Sequence, residues 1–129
     1  NMIPINEYQQ KVFNVLKDDI LSAKVYDDVP KKTKLPIVIL GDYVISSGLV
    51  KGDSYIITQS IDIYSEYEGK KEINDLVSKS IYSLSKLLNT DINKEWFISK
   101  VMINESNVGR AEDIYIANLK FDVEIEKNF

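Results

Sequence analysis

Histidine and cysteine, the side chains that most often carry proton transfer and nucleophilic attack near neutral pH, are both absent from this sequence. A serine nucleophile would therefore need a lysine as its base. Ser80 and Ser83 stand close in sequence to Lys79 and Lys86, but on a helix both lysines fall on the polar side and read as solvated. Asp18-Asp19 and Asp27-Asp28 are adjacent acid pairs. Neighbours in an extended chain point to opposite faces, so neither pair converges on one cation. No calcium-loop spacing of alternating acids, a glycine and a closing glutamate occurs. Glu66 and Glu68 flank a turn and read as solvated acids. Gly48 and Gly52 bracket Lys51, with a spacing that fits no phosphate-cradling loop. The expectation is a chain with no catalytic residue, no metal ligand, no cofactor-binding residue and no cofactor, and so not an enzyme.

Two features keep functional weight. The segment Ser46 to Ser54 holds Gly48, Leu49, Val50, Lys51 and Gly52. Apolar residues on an exposed tip are unfavourable unless they fold back or meet a partner, and both readings stand. The second feature is the row Asp122, Glu124 and Glu126, which alternation places on one face of a strand. Like charges two apart repel modestly, and a solvent-facing edge is the plain reading.

The bulk properties set the frame for these residues. The sequence has 129 residues with 44% hydrophobic and 28% charged, the composition of a globular fold. That length predicts one domain, 1–129, large enough to bury a core without disulfides. The net charge of −4 argues against a generic nucleic-acid binder, which would show a basic surface. The apolar runs fall short of the roughly 20 residues of a membrane span, so no membrane partner is expected. No charged-then-apolar leader pattern opens the sequence as given. Asn1 precedes Met2 and reads as an expression-tag remnant.

Hydrophobic spacing then supplies the elements. Tyr8, Val12, Val15 and Leu16 predict a helix over Glu7 to Lys17, with Asn6 as N-cap and Gln9 completing a capping box. Val25-Tyr26 reads as a brief strand. Pro36 marks a strand start, and Ile37 to Ile45 follows with both faces covered near Ile37 to Leu40. Tyr55 to Tyr64 alternates as a half-buried antiparallel strand. Lys70 to Leu88 carries the clearest apolar stripe, through Ile73, Leu76, Ile81, Leu84 and Leu87. Trp96 to Ile103 and Ile114 to Glu126 are further strands, separated by an expected loop from Glu105 to Asp113. The fold class is α+β, in the order α-β-β-α-β-β. It comprises a mainly antiparallel sheet of about four main strands, with both helices on one face.

An opening helix, then Val25-Tyr26-Asp27-Asp28-Val29-Pro30, then Leu35-Pro36-Ile37-Val38-Ile39-Leu40-Gly41-Asp42, resembles the tail completion family of tailed phages and prophages. The strand Thr58 to Ser65, the helix opening Lys71 to Val77 and the closing strand Tyr115 to Glu124 follow the same order, so the resemblance spans about Tyr8 to Glu126. Members commonly carry a His where this chain has Thr58-Gln59, and an Arg or Gly where it has Gly69-Lys70-Lys71. The family is similar to the tail terminators of lambdoid phages and to tail-to-head joining proteins. The resemblance implies a structural role. A ring of identical subunits, hexameric, would cap the tail tube, end its polymerisation and dock the head or neck connector, and in contractile tails also meet the sheath. It implies residence in the virion and in the host cytoplasm during assembly. Gly48, Leu49, Val50, Lys51 and Gly52 then become candidates for contact with another subunit or the tube. Asp122, Glu124 and Glu126 become candidates for an acidic lumen wall past which DNA slides without specific binding. The alternatives are a head–tail connector of similar fold, or a small bacterial α+β module that binds a ligand or peptide in an apolar pocket.

Overall fold

The computed structural model describes residues 2–128; Asn1 lies outside them. The elements are α1 (Ile5–Asp19), β1 (Lys24–Tyr26), β2 (Ile37–Ser47), β3 (Ser54–Ser65), α2 (Lys71–Ser85), β4 (Trp96–Ala111) and β5 (Ile114–Lys127). They build a five-stranded sheet in the order β1-β2-β3-β5-β4. Only the β1–β2 pairing is parallel; the other three are antiparallel. The fold class is α+β as the hydrophobic spacing predicts, with the short β1 added at one edge.

Alternation fixes which face the helices cover. Ile57, Ile61 and Ile63 of β3 and Ala117, Leu119, Phe121, Val123 and Ile125 of β5 are buried, while their neighbours are not. Tyr8, Val12 and Leu16 of α1 and Ile73, Leu76 and Leu84 of α2 close on that face in one apolar cluster. Each helix has a single apolar stripe, so burying both against one sheet face removes the apolar surface from water. Val38 and Leu40 join this core, and Ile37 and Ile39 are also buried on the other side of β2. Double coverage of that stretch is what its unbroken apolar run implies.

Four local expectations need correction. Asn6 is not an N-cap: α1 starts two residues early, with Pro4 in the cap position and no side-chain cap bond. Proline fits there because its missing N–H would have no helical acceptor anyway. Gln9, expected to close the capping box, instead accepts a hydrogen bond from Gln59 Nε2 at 2.7 Å. α2 stops at Ser85 rather than Leu88. The backbone tightens through Lys86 N to Ser83 O and Leu87 N to Leu84 O, and Asn89 takes a positive φ of 60°. The loop expected over Glu105 to Asp113 is mostly strand. β4 pairs with β5 as far as Ala111↔Ile114, leaving Glu112 and Asp113 as a two-residue turn, with Glu112 at φ 55°. Both faces of this outer stretch are largely solvated, so its residues show no alternation to read. Likewise β2 runs on to Ser47, which shortens the connection to β3 to Gly48–Asp53.

Candidate functional site

The hairpin connection Gly48–Asp53 is a built turn. Gly48 N–H donates to Ser54 O at 3.0 Å, and Asp53 and Ser54 N–H both donate to Val50 O, at 3.0 and 2.8 Å. The buried Ser54 hydroxyl accepts from Val50 N–H at 2.8 Å. Gly52 supplies a φ of 84°, where a side chain would be strained. These bonds order the turn from within and leave its side chains outside: Leu49 is 91% exposed and Val50 41%.

One acid from the second candidate group reaches this turn. Glu124 Oε2 accepts the Leu49 N–H at 2.9 Å across a sequence separation of 75 residues. The approach is close enough that a Cβ on Gly48 would lie 2.6 Å from Glu124 Oε2 and against Ser54 Oγ. Gly48 is therefore required by packing, whereas Gly52 is required by its φ. The structure thus joins two groups that alternation alone leaves separate.

The acids lie on the sheet face away from the helices, and two of them are tied to their neighbours. Asp122 Oδ1 accepts from Thr58 Oγ1 at 2.7 Å and from Asn104 Nδ2 at 2.9 Å, a bridge over three strands. On the same face Asn118 Nδ2 donates to Asp62 Oδ1 at 2.6 Å, and Lys120 pairs with Glu105 at 3.6 Å. Glu126 completes the row beside Ser54 and Phe97 in the strand register. Val44 and Met102 share this helix-free side and are 69% and 44% exposed. The result is a half-exposed, mainly acidic sheet surface, held by hydrogen bonds rather than left to loose side chains.

Sequence reading missed a polar cluster on the other face. Gln59 is buried in the inward row between Ile57 and Ile61. Its Oε1 accepts from Tyr8 Oη at 3.1 Å, and its Nε2 donates to Gly41 O at 2.9 Å as well as to Gln9. Burial pushes the Tyr8 phenol well above its ordinary value, and the Asp122 charge adds to the effect. A signal was present: Gln59 is the one strongly polar residue at an inward position of an otherwise apolar alternation. Its partners cross the sheet and the helix, which spacing does not reveal.

The serine and lysine candidates for catalysis have structural roles. Ser80 Oγ donates to Leu76 O at 2.8 Å, and Ser83 Oγ donates to Asp19 Oδ2 at 2.7 Å. Lys86 bonds the same carboxylate at 2.8 Å, with Tyr82 beneath its ammonium. Its hydrogen bond to Asp19 pushes the Lys86 pKa up, away from what a general base requires. The same bond, then the one from Ser83, holds the Asp19 carboxyl below its ordinary value. Among the described residues no three His, Cys, Asp or Glu side chains group to hold a metal. No helix of the described chain is long and apolar enough to cross a membrane.

No family model and no curated protein match this sequence. Among solved structures, a chain of the virion of the native gene transfer agent (GTA) particle has the same fold. The TM-score is 0.70 over 98% of this chain and 99% of that one, at 17% sequence identity.

Proposed function

We propose that this chain is a structural protein of a phage or phage-like particle, and that it forms the ring that caps the tail tube. The observation that carries this reading is the end-to-end likeness to a chain of the gene transfer agent virion, with neither chain leaving a substantial part unmatched. The resemblance of the Val25 to Pro30 and Leu35 to Asp42 segments to tail completion proteins supports the terminator assignment within that class.

The geometry is compatible with capping. A turn braced by Glu124 holds the Leu49 side chain outward with its N–H already bonded. Apolar anchors on a preorganised turn lose little freedom on docking. In this reading Gly48, Leu49, Val50, Lys51 and Gly52 meet the tube or the next subunit, and the ring's other surface meets the head or neck connector. The acid row Asp122, Glu124 and Glu126 lines the passage and repels the DNA backbone that moves through it.

Electron microscopy of particles from a lysogen that lacks the gene tests the assignment. Overlong tubes or headless tails are expected. Tails of normal length beside unattached heads would move the chain to the neck, and unaltered particles would overturn a virion role.

A further inference from the structure

We propose that copies of this chain associate head-to-tail through the two lateral edges of the sheet. The lysine-rich β1–β2 connection of one copy meets the acidic β4–β5 turn of the next. This deepens the ring reading and rests on it.

The first observation is unpaired backbone. β1 covers β2 only at Ile37 to Ile39, which leaves Asp42 to Ser47 open on the outer side. At the other edge, the segment around Asn89 to Ile92 covers only the start of β4. Ile98 N–H donates to Thr90 O at 2.8 Å, and Asp91 bridges Phe97. From Ser99 to Ala111 β4 pairs with β5 alone. Exposed edges of this length are templates for another strand. β2 opposes β3, β3 opposes β5 and β5 opposes β4, so β2 and β4 run in opposite directions. Two copies in the same orientation therefore present antiparallel edges to each other. A shared orientation is what a closed ring requires.

The second observation is charge. Lys31, Lys32 and Lys34 are exposed, and no carboxylate among the described residues pairs with them. The Tyr26 and Thr33 hydroxyls, 2.9 Å apart, hold this connection beside β1. Asp27 and Asp28 of the same connection offset them only in part. At the opposite edge Glu112 and Asp113 form the β4–β5 turn, and Glu66, Glu68 and Asp113 share a groove with one cation, Arg110. Arg110 is already engaged: it lies over the Tyr115 ring and donates to Glu112 O at 2.9 Å. Both corners sit at the same end of the sheet, since Ile37↔Tyr64 and Ser65↔Tyr115 are in register there. A basic corner and an acidic corner at one level on opposite edges favour a head-to-tail contact and disfavour like edges meeting.

The chain has no cysteine, so site-directed cross-linking is clean. Lys32→Cys and Glu112→Cys in one chain, treated with a short bis-maleimide, should give a ladder of oligomers. The two single variants should cross-link when mixed and not when separate. Lys31→Glu with Lys32→Glu and Lys34→Glu should lower association by about tenfold, and a Glu112→Lys, Asp113→Lys partner should restore it. Circular dichroism of each variant separates lost contact from lost folding, and these exposed positions should leave the fold intact. Absence of a ladder, efficient cross-linking of Lys32→Cys alone, or association indifferent to the charge reversals would overturn the edge assignment. If gene deletion still yields overlong tubes in that case, the ring reading stands and only its edges are wrong.

Discussion

Gly48 shows how one residue can join two parts of the surface. Its hydrogen atom leaves room for Glu124 to reach the Leu49 N–H, and any Cβ would meet that carboxylate and Ser54. Gly48→Ala should destabilise the chain by about 1–3 kcal/mol, the range for overpacking a fixed contact; chemical denaturation measures it. Asp19 yields a pH prediction. Its carboxyl sits below the ordinary 3.8 because Lys86 and Ser83 hydrogen-bond the ionised form. A depressed native pKa contributes stability that is present above the unfolded value and lost as pH falls through the native one. Asp19→Asn should therefore be less stable than the parent at pH 7, and the gap should close as pH falls below 3.8. The Lys86 side chain is 44% exposed although Asp19 is only 15% exposed, so solvent screens the pair from the lysine side and the effect should be small. A gap that does not narrow in acid would show that the carboxylate is not responsible.

At the scale of elements, legibility in the sequence followed burial. α2 and the strands β3 and β5 each bury one face, so their apolar residues recur at a period that can be read. The outer half of β4 is largely solvated on both faces and is itself the sheet edge, paired with β5 alone. Its residues Asn104 to Gly109 therefore look like loop although they are paired strand. Composition favours Asn6 over Pro4 as the α1 cap, but the register is set by Tyr8, Val12 and Leu16 packing on the sheet. The loop candidates Gly48 to Gly52 were legible as a turn through their glycines, but the brace from Glu124 was not, because 75 residues separate its partners. Leu49 and Val50 make a test of the turn as an element. Leu49→Asp with Val50→Asp should leave thermal stability within about 0.5 kcal/mol, as for exposed sites. It should abolish attachment to tails, scored by complementing a gene deletion. Normal tails in that variant would remove the turn from the interface.

For the whole molecule, the two sheet faces divide the work. The helix side is closed by a continuous apolar core, and the other side is a hydrogen-bonded, mainly acidic surface. If this acidic surface lines a DNA passage, as proposed, a specific defect follows from reversing its charge. Because Asp122 and Glu124 also hold structural bonds, the separating variant is Glu126→Lys, alone and then added to reversals at the other two. Tail length should be unchanged while DNA delivery falls, measured as infectious or gene-transferring particles per physical particle. Unchanged delivery in all of them would place the acids elsewhere. The fold and layer order are legible in the hydrophobic spacing, and a chain of the gene transfer agent virion shares that fold; the tail-capping role is the proposal to be tested. The most direct test is therefore to label this chain in a complemented deletion strain and locate it by electron microscopy. Label confined to the head-proximal end of the tail tube is the expected result. Label along the tube, at the distal tip or absent from particles would contradict it.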